Sequence, residues 1–174
     1  MPIFAPRVIF RRAHDITPQY LAQHGIKALI LDVDNTLTGH GSQKLPEEIS
    51  AWLAEMRAAD VPMMIVSNNM PKRVALFAQQ VELPFKAFSC KPSPLGLAAA
   101  RRSFGVKKSE VALVGDQIFT DVLGANIYGI PMLLVQPMYA DYKPTIRFKR
   151  WLEKPILARY FKRGGKLIQR EEQL

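Results

Sequence analysis

The chain has 174 residues, 48% of them hydrophobic and 22% charged, a composition that suits a globular domain with a sizeable core. No apolar run is long enough to span a bilayer, the opening residues lack the apolar stretch of a secretory signal, and the lone Cys90 excludes an internal disulfide. The net charge of +9 is uneven: residues 32–140 hold ten basic and ten acidic side chains, so the excess lies in residues 1–31 and 141–174. These features predict a cytoplasmic protein whose ends either meet an anionic surface or partner or are simply solvated basic tails.

The elements alternate from residue 26 onward. Ile26–Val33 reads as a buried strand that runs into Asp32-Val33-Asp34-Asn35-Thr36. Pro46–Ala59 is a predicted helix with Ile49, Leu53 and Met56 on one side, and Pro62–Ser67 a second buried strand ending at Ser67-Asn68-Asn69. Pro71–Val81 reads as a helix with Val74, Leu76, Phe77 and Val81 inward, and Phe85–Ser89 as a short third strand. A helix over Pro94–Phe104 closes at Gly105. Strand Glu110–Gly115, helix 119–128 and strand 130–135 complete the alternation. Continuous apolar strands separated by helices predict an α/β fold, a Rossmann-like three-layer sandwich whose parallel sheet is covered by helices on both faces. The spacing leaves no Gly-x-Gly-x-x-Gly fingerprint and no P-loop.

Four strand ends carry polar groups. Asp32 and Asp34 end the first strand, Ser67 the second, Lys91 follows the third, and Asp116 the fourth, with Asp121 soon after. In a parallel sheet these groups gather along one edge. Four carboxylates with a hydroxyl and an ammonium suit a magnesium ion beside a phosphoryl group, because carboxylates bind the hard cation and Ser and Lys bind phosphate oxygens. Cys90 reads as a buried small hydrophobe, and His14, His24 and His40 show no metal spacing. Asn68 and Asn69 fit either a turn or a phosphate contact, with Asn68 the preferred contact.

Asp32-Val33-Asp34-Asn35-Thr36, Ser67, Lys91 and Gly115-Asp116 with Asp121 resemble, in order, the four motifs of the haloacid dehalogenase-like phosphatases over about residues 26–135. The wording Leu-Asp-Val-Asp-Asn-Thr-Leu, Ser-Asn-Asn and Lys-Pro is similar to the capless YqeG-like branch, which includes phosphatidylglycerophosphate phosphatases. The resemblance implies catalysis by Asp32, Asp34 and Lys91, with Asp32 the nucleophile and Asp34 the acid and base. It implies Mg2+ held among Asp32, Asp34, Asp116 and Asp121, and substrate phosphate held by Thr36, Ser67, Asn68 and Lys91. Lys91→Ala is expected to lose activity and keep the fold.

Only 30 residues separate Thr36 from Ser67 and 23 separate Ser67 from Lys91, which leaves no room for a large cap domain. The expected organisation is a basic N-terminal extension over 1–25, the phosphatase domain over 26–140, and a basic amphipathic extension over 141–174. In the last, Phe148, Trp151, Leu152, Ile156, Tyr160 and Phe161 recur near helical spacing among basic residues, and Pro155 is expected to split the stretch into two helices. An open site with basic ends favours a phosphorylated substrate in the form of an anionic lipid, reached by peripheral contact with the inner face of a membrane. A nucleotide or nucleic-acid end phosphatase is the second reading, and a non-catalytic RNA- or ribosome-associated protein the third. Oligomeric state is not legible.

Overall fold

The computed structural model describes residues 3–140 and 143–173; residues 1–2, 141–142 and 174, which belong to the two terminal segments, lie outside the described residues. Among the described residues seven strands form one sheet: β1 Val8–Phe10, β2 Ala28–Leu31, β3 Met63–Val66, β4 Phe85–Lys86, β5 Val111–Gly115, β6 Met132–Val135 and β7 Leu167–Ile168. Their order is β4-β3-β2-β5-β6-β1-β7 and every pairing is parallel. Six α-helices accompany them: α1 Pro18–Gln23, α2 Glu47–Ala58, α3 Pro71–Gln80, α4 Leu95–Phe104, α5 Leu123–Tyr128 and α6 Pro144–Lys162.

Alternation along each strand divides the core in two. Leu29 and Leu31 of β2, Met63 and Ile65 of β3, and Ala112 and Val114 of β5 pack under α2 and α3 with Trp52 and Phe77. Ala28 and Ile30, Met64 and Val66, and Val111 and Leu113 face the other way, onto α4, α5 and the Ile156 and Leu157 side of α6. Covered on both faces, the central strands need unbroken apolar sequence, which is why they read so plainly. The predicted three-layer sandwich is the one observed, with no large cap.

Strand order reverses between β2 and β5, since the chain moves outward to β3 and β4 and then returns to β5 and β6 on the other side. The crevice at such a reversal, beyond the carboxyl ends of the strands, is where an open α/β sheet binds ligands. Register places the two strands level there: Leu31 lies beside both Ile65 and Val114, and the Asp32 amide donates to the Val114 carbonyl at 2.9 Å.

Several expectations change. The segments 1–25 and 141–174 do not merely extend from the domain: they supply β1, α1, α6 and β7, with Phe10 and Leu21 fully inside the core. Residues 144–162 form one helix through Pro155. Pro155 is exposed, so water can satisfy the carbonyl it leaves unpaired, while buried Glu153 and partly buried Ile156 hold the helix down on either side. Leu76, expected inward, is exposed on α3. Cys90 is exposed too, because its φ of 52° turns it out of the loop after the two-residue β4. The helix expected from residue 119 opens as a wide π-helical turn, Ile118–Val122, before α5. Among the described residues no helix is long and apolar enough to cross a membrane.

Candidate active site

Lys91 is the centre of a buried charge cluster beyond the ends of β2 and β5. Its ammonium lies 2.7 Å from Asp32 Oδ1 and 2.7 Å from Asp121 Oδ1, and the lysine side chain is 2% exposed. Burial by itself would drive the ammonium pKa down, but the charges of Asp121 and Asp32 outweigh it and raise the pKa. Asp32 is raised to about 7: burial dominates, Lys91 pulls it down, and Asp121 and Asp34 push it back up. One ammonium shared between two carboxylates does not fully compensate Asp32 for its burial.

The loop that carries Lys91 is held by Asn68. The Lys91 amide donates to Asn68 Oδ1 at 2.6 Å, Ser89 Oγ donates to the same oxygen at 2.9 Å, and Asn68 Nδ2 donates to the Lys91 carbonyl at 2.9 Å. Both ends of the amide are thus engaged by the β4–α4 loop. Asn68 thereby positions Lys91, with one hydrogen of its Nδ2 engaged in these contacts.

Asp116 follows Gly115 at the end of β5 and is 2% exposed. Arg150 of α6 pairs with its Oδ2 and donates to its main-chain carbonyl at 2.6 Å. Burial raises the Asp116 carboxyl well above its usual value, Arg150 opposes this, and Asp121 and Asp32 add to it. Its Oδ1 is buried and has no hydrogen-bond partner among the described residues. Asp32, Asp116 and Asp121 each offer an oxygen within 4.8 Å of the others. A buried cluster of three carboxylates with one orphaned oxygen fits a hard divalent cation.

Asp34 stands apart from that cluster. Arg73 of α3 reaches its Oδ1 at 2.6 Å, the Gly41 amide donates to the same oxygen at 2.9 Å, and Asn69 donates to Oδ2. His40 Nδ1 lies 3.7 Å from Oδ1. Asn69 therefore orients Asp34, a role the sequence left open. Ser67 is buried at the end of β3 and accepts from the Asn69 amide at 3.2 Å. Thr36 is buried in the turn after Asn35, whose φ is 56°, and its hydroxyl has no partner among the described residues.

Gly115 explains why glycine precedes the fourth-motif aspartate. A Cβ there would lie 2.6 Å from Asp121 Cγ. Gly115→Ala should push Asp121 away and release Lys91, lowering kcat on the order of 100-fold with the circular dichroism spectrum unchanged. Wild-type turnover by this variant would separate Gly115 from the site.

Sequence reasoning missed Arg73, Arg150 and Glu153. Glu153, 3% exposed, accepts from the Ile118 amide at 2.8 Å and from Arg150 at 3.0 Å, so α6 anchors both Asp116 and the turn that carries Asp121. One signal was present: Glu153 is the single acid between Thr145 and Arg163, three residues after Arg150.

A buried acidic cluster around a shared lysine, at the reversal of a parallel sheet, has the chemistry to hold a divalent cation beside a phosphoryl group. Comparison with known proteins agrees. A family model of HAD-hydrolase-like proteins matches residues 89–137, and a model of mitochondrial PGP phosphatases matches residues 2–82. The chain is 34% identical over 169 residues to the probable phosphatase YqeG of Bacillus subtilis (strain 168), covering 97% of each. It is 26% identical over 173 residues to phosphatidylglycerophosphate phosphatase 1, chloroplastic/mitochondrial, of Arabidopsis thaliana, covering 94% of this chain and 50% of that protein. Two solved structures share the fold: an uncharacterized protein from Listeria monocytogenes serotype 4b (TM-score 0.55, 16% identity, 68% of this chain and 85% of that one) and a hypothetical protein from Xanthomonas campestris (TM-score 0.55, 13% identity, 73% and 76%). The chain belongs to the YqeG-like phosphatases of the haloacid dehalogenase-like superfamily, whose enzyme class is phosphoric monoester hydrolase.

Proposed function

We propose that this protein is a Mg2+-dependent phosphomonoesterase that works through an aspartyl-phosphate on Asp32 and takes its phosphate from an anionic phospholipid headgroup. The observation that carries the reading is Lys91 shared between Asp32 and Asp121, with the free oxygen of Asp116 beside them. The free oxygen of Asp32 attacks phosphorus while the alcohol leaves, and Asp34 supplies the leaving oxygen with a proton. Asp34 then takes a proton from the water that attacks the aspartyl-phosphate, which regenerates Asp32 and releases phosphate. Lys91, Ser67 and Thr36 offset charge on the phosphoryl oxygens. Asp32, Asp116 and the main chain of Asp34 would hold Mg2+, with Asp121 beside them, and the ion would supply Lewis-acid charge at the phosphoryl group. The lipid preference is supported by the uncapped cleft and by the name of the plant relative, of which this chain spans about half.

Acidic groups whose pKa rises on folding add stability below their unfolded pKa and lose it as pH climbs through the folded one. Asp32 and Asp116 are such groups. The metal-free protein should therefore lose stability from about pH 4 to about pH 7, and Mg2+ should raise Tm more near pH 8 than near pH 5.5. Thermal melts read this directly, and equal shifts at both pH values would contradict the cation site.

The function is tested by phosphate release from phosphatidylglycerophosphate in mixed micelles beside a soluble aryl phosphate, with Mg2+ or EDTA. Release from both, lost with EDTA, is expected. Turnover of the aryl phosphate alone discards the lipid, and silence on both discards the phosphatase.

A further inference from the structure

The carboxyl edge of the sheet carries a set of large apolar side chains that the described residues leave exposed. Met70, Phe88, Leu95, Tyr139, Phe148 and Trp151 are each between 60% and 75% exposed. Each belongs to a segment at the carboxyl edge of the sheet. Met70 follows β3, Phe88 and Leu95 follow β4, Tyr139 follows β6, and the last two lie on the first half of α6, whose Arg150 reaches Asp116. By strand order they flank the β2–β5 crevice on both sides.

These groups are held in place. The Phe88 amide donates to the Asn69 carbonyl at 2.9 Å, which ties the two loops on one flank together. On the other flank Tyr139 packs so closely on Gly39 that a Cβ there would lie 3.0 Å from its ring. Phe148 and Trp151 stack with ring centroids 6.0 Å apart. An apolar rim this large on a water-soluble surface marks an interaction site.

Charge selects the partner. Residues 67–73, 86–95, 136–140 and 143–154 expose Lys72, Lys86, Lys143, Arg147, Lys149 and Lys154, while their one acid, Glu153, is buried. Aromatic and aliphatic tips set among an excess of cations, with Glu47 and Glu48 the exposed acids beside Tyr139, match the headgroup layer of an anionic membrane. A nucleic-acid strand would use the aromatic rings but has no use for Met70 or Leu95.

We infer that the rim of the catalytic cleft is itself the membrane-docking face, seated on an anionic bilayer so that a headgroup phosphate enters from the membrane side and meets Asp32 without leaving the bilayer. The contact lies at the catalytic edge, and the basic ends enter it only through the first half of α6. The inference rests on the lipid reading of the substrate, and it explains how an uncapped site would be shielded from water during catalysis.

The two tryptophans make the test direct, because Trp52 is 1% exposed and Trp151 is 62% exposed. Vesicles of equal parts phosphatidylglycerol and phosphatidylcholine, added to the full chain, should shift the tryptophan emission to the blue. Brominated acyl chains should quench it, and Trp151→Phe should abolish both effects. The triple variant Met70→Ser, Leu95→Ser, Phe148→Ser should weaken vesicle binding about tenfold or more while hydrolysing the aryl phosphate at the wild-type rate, which also certifies its fold. No shift with vesicles overturns the inference. So does binding that survives the triple variant but is lost on replacing Arg7, Arg159 and Lys166 around the opposite cleft, and so does a shift produced by single-stranded RNA and not by vesicles. Failure of the lipid reading is distinct: rim-dependent vesicle binding would persist while phosphatidylglycerophosphate went unhydrolysed.

Discussion

Asp32→Asn will abolish phosphatase turnover, on the order of 10,000-fold or more, and leave the protein folded. The amide cannot displace an alcohol from phosphorus, and no neighbour can take over. Asp121 is held by Lys91 and by the Gln117 amide at 3.1 Å, Asp116 by Arg150, and Asp34 by Arg73 and Asn69. Stability should move the other way from activity. Burial resists ionisation of Asp32 strongly enough to raise its pKa to about 7, so a neutral side chain of the same shape relieves repulsion from Asp121 and Asp34. Lys91 keeps Asp121 as its partner. The metal-free variant should thus melt at or above the wild-type temperature near pH 8, while gaining less from added Mg2+. An active Asp32→Asn enzyme would remove Asp32 from the chemistry.

Lys91→Ala will cost both activity and stability. The sequence suggested a loop lysine whose loss the fold would tolerate, but the structure encloses its side chain and places two buried carboxylates on one ammonium. Deleting one partner of a buried charge pair leaves the other uncompensated, at a cost of about 3–5 kcal/mol. The variant can escape part of this by keeping Asp32 protonated, so its deficit should be smaller near pH 5 than near pH 8. Chemical denaturation at the two pH values reads the difference. A variant as stable as wild type at both would mean that the Lys91 contacts contribute nothing net to the fold.

The four strand ends were legible because a doubly covered parallel sheet needs continuous apolar strands, and a run such as Val111–Gly115 that stops at Asp116 has little other explanation. Predicted limits overran by a residue or two, as with Ile26–Val33 against the observed Ala28–Leu31. The two strands beyond β6, internal β1 and edge strand β7, were not legible. Val8–Phe10 and Leu167–Ile168 are too short to show a period, and β1 pairs with segments more than a hundred residues away in sequence. Pro155 misled because its cost to a helix depends on solvent access and on anchors such as Glu153, neither of which is local sequence. The same holds for the site. Asp32, Lys91 and Asp116 could be found from strand ends, while Arg73 and Arg150 approach from helices and declare themselves only through the carboxylates they touch. Asn68 and Asn69 show how fine the distinction is: adjacent and identical, one holds the lysine loop and the other holds Asp34.

The central claim is a covalent phosphate on Asp32, and the direct measurement is to trap it. Enzyme with Mg2+ and substrate would be quenched in acid within one turnover, reduced with borohydride, digested, and its peptides read by mass spectrometry. An acyl-phosphate at Asp32 predicts homoserine at that position, absent when substrate is omitted and absent in Asp32→Asn. Phosphate released in step with turnover, with residue 32 still aspartate in every quenched sample and the adduct found at another residue, would contradict the mechanism.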